Sequence, residues 1–211
     1  MTDATNVLID NLAHRNTRLL DALWVAGVAL LTALLAQVRI PLPFTPVPLT
    51  GQTFAVLLAG AALGSRRAFL SQALYLAAGA AGLPVFAGGG TGAYLLGPTG
   101  GYLWSFPLAA ALLGWLVERG AGRRVWTLAL SLVLSDALVL TAGVLWLRGV
   151  FGVTSRQAWL QGFYPFIAGE LLKVGLVTAT LLSFRFSILR SCEELGREAP
   201  RHGEKERVEG L

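Results

Sequence analysis

Cysteine, histidine and charge are what this chain of 211 residues has least of. Its single cysteine, Cys192, excludes a disulfide framework and a multi-cysteine metal site. Its two histidines, His14 and His202, lie in the polar termini, so no Ser–His or Cys–His pair is available inside the apolar body. No GxxxxGK[ST] run occurs, which removes a phosphate-gripping loop. Only 14% of residues are charged, and no Asp, Glu, Lys or Arg occurs from Ile40 to Ser65 or from Ala68 to Val117. Uncharged runs of that length, with a mean hydropathy of +0.62, define a polytopic membrane protein. The first 19 residues are polar and lack an apolar core with a cleavage site, so no cleavable signal is expected.

Six apolar segments can be cut from the chain: about Ala22–Val38, Gly51–Leu63, Ala68–Leu83, Tyr102–Val117, Val125–Leu147 and Gly162–Phe184. A full crossing needs about 20 residues. The first, fifth and sixth reach or approach that length; the second, third and fourth are short. The fold expected is all-α: a six-helix transmembrane domain over 22–189, between an N-terminal segment, 1–21, and a charged tail, 190–211. The net charge of +5 does not point to nucleic acid, because the basic residues sit in short loops between apolar runs. With the N-terminus inside, Arg15, Arg18, Arg66, Arg67, Arg119, Arg123, Arg124, Arg185 and Arg190 are cytoplasmic. Arg39, Arg148 and Arg156 are outside. This bias puts both termini in the cytoplasm.

Two outer connections are irregular and apolar together. The run RIPLPFTPVPLTGQ carries prolines at 41, 43, 46 and 48, so it cannot be helical and is expected to run extended in polyproline form. Residues 82–102, GLPVFAGGGTGAYLLGPTGGY, hold eight glycines and two prolines without one charge. Such a stretch is too broken for a helix and too apolar for a free linker. Irregular backbone at membrane depth is tolerated only where it is buried in protein or lines a cavity. The glycine-rich run is therefore expected to form the lid or wall of an outward-facing cavity.

Ionisable residues within the spans are Asp136, Glu170 and Lys173. Lys173 stands mid-way along the sixth segment, where a lone charge costs about 2.5–3.5 kcal/mol on insertion scales. Glu170, three residues earlier, shares its helical face. The pair is either a mutual ion pair tying helices together or a polar patch on the cavity floor, and the lid above the same half of the bilayer favours the patch. Lys173 would meet an anionic or carbonyl group and Glu170 would meet N–H donors. Asp136, beside Ser135 in the fifth segment, suits a structural group hydrogen-bonded to a neighbouring helix, with a ligand or proton role as the alternative. Ala22, Ala26, Ala29 and Ala33 let a second helix approach the first segment closely, whether within this chain or from a partner. Trp24, Trp104, Trp115, Trp126, Trp146 and Trp159 fall near segment ends, as an interfacial belt does.

The runs IPLPFTPVPLTGQTFAVLLAGAALGSRR, LYLAAGAAGLPVFAGG, LLGPTGGYL, GVLWL and PFIAGELLK resemble the BioY family, from about Ala22 to Phe184 and in order. BioY proteins are the biotin-binding S components of energy-coupling-factor (ECF) vitamin importers. The resemblance implies high-affinity biotin binding and uptake across a bacterial or archaeal cytoplasmic membrane. It implies no enzymatic activity, cofactor or metal, and a site closed by the connection between helices three and four. Its acidic-x-x-Lys motif maps to Glu170 and Lys173; the usual acidic residue is Asp, so Glu170 is a departure. Some members place a polar or basic side chain in the glycine-rich connection, where this chain has Gly89, Gly90, Thr91 and Tyr94. Phe86, Tyr102 and Tyr164 are candidates for the aromatic walls. The alanine face of the first helix resembles the surface that docks to the transmembrane coupling subunit, or T component, which works with two ATP-binding-cassette ATPases. A stand-alone facilitator of biotin, or of another small carboxylated vitamin, without those partners is the alternative, and an intramembrane enzyme is disfavoured by the missing nucleophile–base pairs.

Overall fold

The computed structural model describes residues 17–198, and the expectations for 1–16 and 199–211 lie outside them. The described residues are mostly helical. The principal helices are α1 (Thr17–Gln37), α2 (Gln52–Leu63), α3 (Ser65–Ala80), α4 (Gly100–Glu118), α5 (Val125–Phe151) and α7 (Ile167–Glu198), with a short α6 (Ser155–Gly162) ahead of α7. Among the described residues, four stretches are long and apolar enough to cross a membrane: Arg18–Gln37, Gly100–Glu118, Val125–Phe151 and Ser155–Phe184. One compact unit ends at Thr178, and the described part of a second begins at Ala179 as the remainder of α7.

Within the first unit α4 is central and packs on α2, α3 and α5. The short α2 is apolar nearly all round and nearly all buried, as a helix without a polar face must be. The outer helices show the opposite pattern. Leu19, Leu23, Leu30 and Leu34 of α1 are exposed, which only a lipid environment accommodates. α3 opens on Arg66 and Arg67, and Arg18 of α1 joins both in one groove.

The proline-rich connection departs from expectation. It does not run out as a polyproline strand but folds back, and its ends pair as β1 (Arg39–Ile40) and β2 (Leu49–Thr50), with Arg39 opposite Thr50. Thr45 ties its tip to α6 by donating to the carbonyl of Gln161 at 2.7 Å. The strands end where the prolines remove the N–H groups that a longer ladder needs. α6 was not expected either; Thr154 and Gln157 form a capping box that starts it.

The glycine-rich connection is irregular from Gly82 to Thr99, apart from a single 3₁₀ turn at Gly92–Leu95, but its last three residues, Gly100–Tyr102, are helical and begin α4 against expectation. Gly88 and Gly89 take positive φ in a tight turn closed by the bridge between Phe86 and Gly90. Trp104 and Trp146 donate their indole N–H groups to the carbonyls of Leu95 and Gly97, at 3.1 and 3.0 Å. Two belt tryptophans thus anchor the loop. Phe86 is fully buried, edge-on to Tyr75 at 5.3 Å, and its ring lies where a side chain at Gly79 would be.

That contact yields a stability prediction. Gly79→Ala forces the Phe86 ring out of its seat and should cost about 1–3 kcal/mol, as overpacking does. Thermal unfolding in detergent should show the loss, and it should shrink in a Phe86→Leu background, because the two sites share one space. Equal losses in both backgrounds would contradict the contact.

Candidate functional site

Three helices bring polar groups into the apolar interior. The first turn of α2 supplies Gln52 and Thr53, both buried. α7 supplies Glu170 in its first turn, where a carboxylate suits the helix dipole, and Lys173 one turn on. α5 supplies Ser135 and Asp136. The hydroxyl of Thr53 donates to Glu170 Oε2 at 2.7 Å and accepts from Lys173 Nζ at 2.7 Å. Lys173 Nζ also lies 2.6 Å from Glu170 Oε1. The three side chains form a closed hydrogen-bonded ring, with 12% of the lysine and 6% of the glutamate side chain exposed. At that burial either charge alone is strongly unfavourable, and each satisfies the other.

Thr53 and Glu170 of the ring line a narrow cavity of about 40 Å³, while Lys173, bonded to both, does not line it. Phe86, Tyr94, Tyr102, Phe106 and Phe166 form its aromatic walls, and Val47 and Pro48 of the folded-back connection complete the rim. Phe86 stacks on Tyr94 at 6.4 Å, and Tyr102 meets Phe166 at 6.2 Å. The Tyr102 hydroxyl is already used, donating to the Gly162 carbonyl at 2.7 Å, so only its ring faces the cavity. Gln52 donates to the Tyr75 hydroxyl, which in turn donates to the Val85 carbonyl at 3.2 Å. This relay joins α2, α3 and the glycine-rich loop.

The structure brings together Glu170, Lys173, Phe86, Tyr94 and Tyr102, and it puts Asp136 beside Glu170 and Lys173. Asp136 Oδ1 and Ser135 Oγ are buried without a hydrogen-bond partner among the described residues. Gly89, Gly90 and Thr91 lie on the loop but do not line the cavity. Tyr164 is corrected: it is 59% exposed and clusters with Trp159 and Phe163 outside the cavity. The 3₁₀ turn Tyr164–Phe166 carries Phe166 inward in its place. The alanine face is corrected as well. Ala22 and Ala26 are exposed, but Ala29 is buried in the core and Ala33 is half-buried against it. Sequence reasoning missed Thr53, Gln52, Tyr75 and Phe106; the signal available was a Gln-Thr pair at the start of an otherwise apolar segment.

Helices of membrane length around a cavity, with a neutralised ion pair at its floor, define an integral membrane protein of the small-solute-binding class. Residues 9–190 match the profile of the BioY family, and the chain belongs to that family. It is 36% identical over 165 residues to the biotin transporter BioY2 of Lactococcus lactis subsp. cremoris, over 78% of this chain and 89% of that one. It is 40% identical over 167 residues to the probable biotin transporter BioY of Pyrococcus horikoshii, over 79% and 93% of the two chains. The fold matches the crystal structure of the S-component for biotin from an ECF-type ABC transporter with a TM-score of 0.75. That match covers 81% of this chain and 93% of the other at 24% identity, so it is a likeness of fold.

The ring gives a prediction independent of any ligand. Thr53→Val keeps the shape but leaves Glu170 and Lys173 each short of a partner. It should cost about 1–3 kcal/mol in a denaturation series, whereas Thr53→Ser should be close to neutral.

Proposed function

We propose that this chain is a biotin-binding transport subunit of the cytoplasmic membrane and not an enzyme. The observation that carries the reading is the Thr53–Glu170–Lys173 ring, two of whose members, Thr53 and Glu170, line an aromatic cavity. Biotin presents a ureido group with two N–H donors and a carbonyl, an apolar bicyclic body, and a carboxylate on an alkyl chain. Glu170 accepts from the ureido N–H groups, while Lys173 or Thr53 donates to the carbonyl. Phe86, Tyr94, Tyr102, Phe106 and Phe166 sandwich the rings. The loop 82–99 acts as a lid that opens to admit the ligand and closes over it.

The same reading assigns six crossings, by α1–α5 and α7, with α2 and α3 completed by the connections at their ends. Arg18, Arg66 and Arg67 face the cytoplasm, as both termini do, and the lid faces outside. Nothing in the chain resembles a nucleotide site, so ATP-driven uptake would come from a T component and two ATPases in an ECF complex. Ala22 and Ala26, exposed on the cytoplasmic half of α1, are the positions left for docking such a partner.

Two experiments test this reading. Glu170→Gln and Lys173→Met keep volume while removing one charge each. Each should weaken biotin binding by about 100-fold or more in calorimetric titration, since every 1.4 kcal/mol is about tenfold. Unchanged affinity in both would remove the ring from the binding site. Ala26→Leu should abolish co-purification with the coupling subunit and ATP-dependent uptake while leaving biotin affinity within about threefold. Uptake that persists in cells lacking the ATPases would favour a stand-alone facilitator instead.

A further inference from the structure

The lid is held from two sides. Tyr75 of α3 holds it from within the site, through the Val85 carbonyl. The other hold comes from Gln37, the last residue of α1, whose side chain is exposed at the rim. Its Nε2 donates to the Phe86 carbonyl at 3.2 Å, and its Oε1 accepts from the Gly89 N–H at 3.1 Å. The same Nε2 donates to the Ala33 carbonyl one turn back at 3.1 Å, which fixes the carboxamide to its own helix. Phe86 and Gly89 are the two ends of the tight turn, since the Gly89 N–H also reaches the Phe86 carbonyl at 3.0 Å. One amide therefore grips both ends of the turn with a donor and an acceptor. Arg39, two residues beyond Gln37, lays its guanidinium against Gly88 between them.

This grip is unlike the rest of the lid's anchorage. Tyr75, Trp104 and Trp146 belong to helices embedded in the bundle, and each uses a single donor. α1 is the most weakly embedded of the four membrane-length stretches, with 17% of its apolar window buried against 67% for α4. The lid turn, which carries the fully buried Phe86, is thus fastened to the least buried of those four stretches.

We propose that Gln37 is the latch of the lid: by gripping the Phe86–Gly89 turn it sets the rate at which ligand leaves, and it makes lid opening respond to the position of α1. Releasing both hydrogen bonds frees Phe86 to swing out with the turn, which opens the cavity mouth without disturbing the polar ring. A shift of α1 against α3 pulls the amide away from a turn that Tyr75 still holds from the other side. Gln37 touches neither ring nor cavity, so it is a positioning residue whose effect falls on release more than on recognition. The ligand part rests on the cavity being the biotin site; the latch itself does not.

The experiment uses the full chain in nanodiscs, with two readouts. Gln37→Met removes both hydrogen bonds at similar size, and Gln37→Glu keeps the acceptor for Gly89 N–H while setting a carboxylate against the Phe86 carbonyl. In ligand-free protein, amide hydrogen exchange over residues 86–90 should quicken by about tenfold in Gln37→Met, with α2 and α4 unchanged. Release of radiolabelled biotin should quicken by about tenfold while association stays within twofold, and Gln37→Glu should fall between Met and wild type. Lid exchange within twofold of wild type in Gln37→Met overturns the latch. Faster lid exchange with unchanged release overturns its control of the ligand. A wild-type chain that captures no biotin would count against the binding site, while the exchange readout would still decide the latch.

Discussion

A buried charge has to be answered where it sits, and in this chain the answer is the ring of Thr53, Glu170 and Lys173. Moving an ammonium or a carboxylate into an apolar interior costs several kcal/mol even after relaxation. The cost falls to a tolerable level only when the partners are in place and fully hydrogen-bonded. The first turn of α2 must therefore meet the first turns of α7, at the height set by Thr53. The hairpin ahead of α2 follows from the same demand. Strands β1 and β2 bring the chain back from α1 so that Gln52 and Thr53 enter the interior one residue after the hairpin, past Gly51.

Around the cavity the backbone is irregular, and several of its carbonyls are met by side-chain donors. The carbonyl of Val85 is met by Tyr75, that of Phe86 by Gln37 and Gly89 N–H, and those of Leu95 and Gly97 by Trp104 and Trp146. Loop carbonyls that water would satisfy in a soluble protein are here satisfied by side chains from the helices below. The aromatic residues serve twice, as cavity wall or interfacial belt and as hydrogen-bond donors. These contacts hold a run so rich in glycine against the helices with only one 3₁₀ turn of its own.

Much of this was legible in the sequence, and the limits have physical causes. Glu170 and Lys173 stood out because ionisable residues inside an apolar span are rare and expensive. Thr53 and Gln52 did not, because neutral polar residues are common in such spans and carry no charge penalty to betray them. The glycine-rich loop was recognised from density alone, but its attachment to Gln37 was not, because a glutamine at the end of an apolar helix looks like any solvated terminus. Phe166 was missed in favour of Tyr164 because a single 3₁₀ turn reverses which residue faces inward, and boundaries are the least determined feature of a segment. The alanine face was read as one stripe. In the structure α1 leans into the bundle toward its lid end, so Ala29 is buried while Ala22 and Ala26 remain outside.

The internal neutrality of Glu170 and Lys173 decides what kind of group the floor can receive. A ligand that brings an uncharged, hydrogen-bonding head can replace the Thr53 and mutual contacts with its own, so every partner stays satisfied and no net charge enters. A head with a full charge would leave one more ion in the interior than there are partners for it. A carboxylate on such a ligand is therefore excluded from the floor and belongs at the mouth. The aromatic walls between the two ends match an apolar body and add little orientation of their own. Orientation comes from this contrast: a neutral polar head goes in, and a charged end stays out.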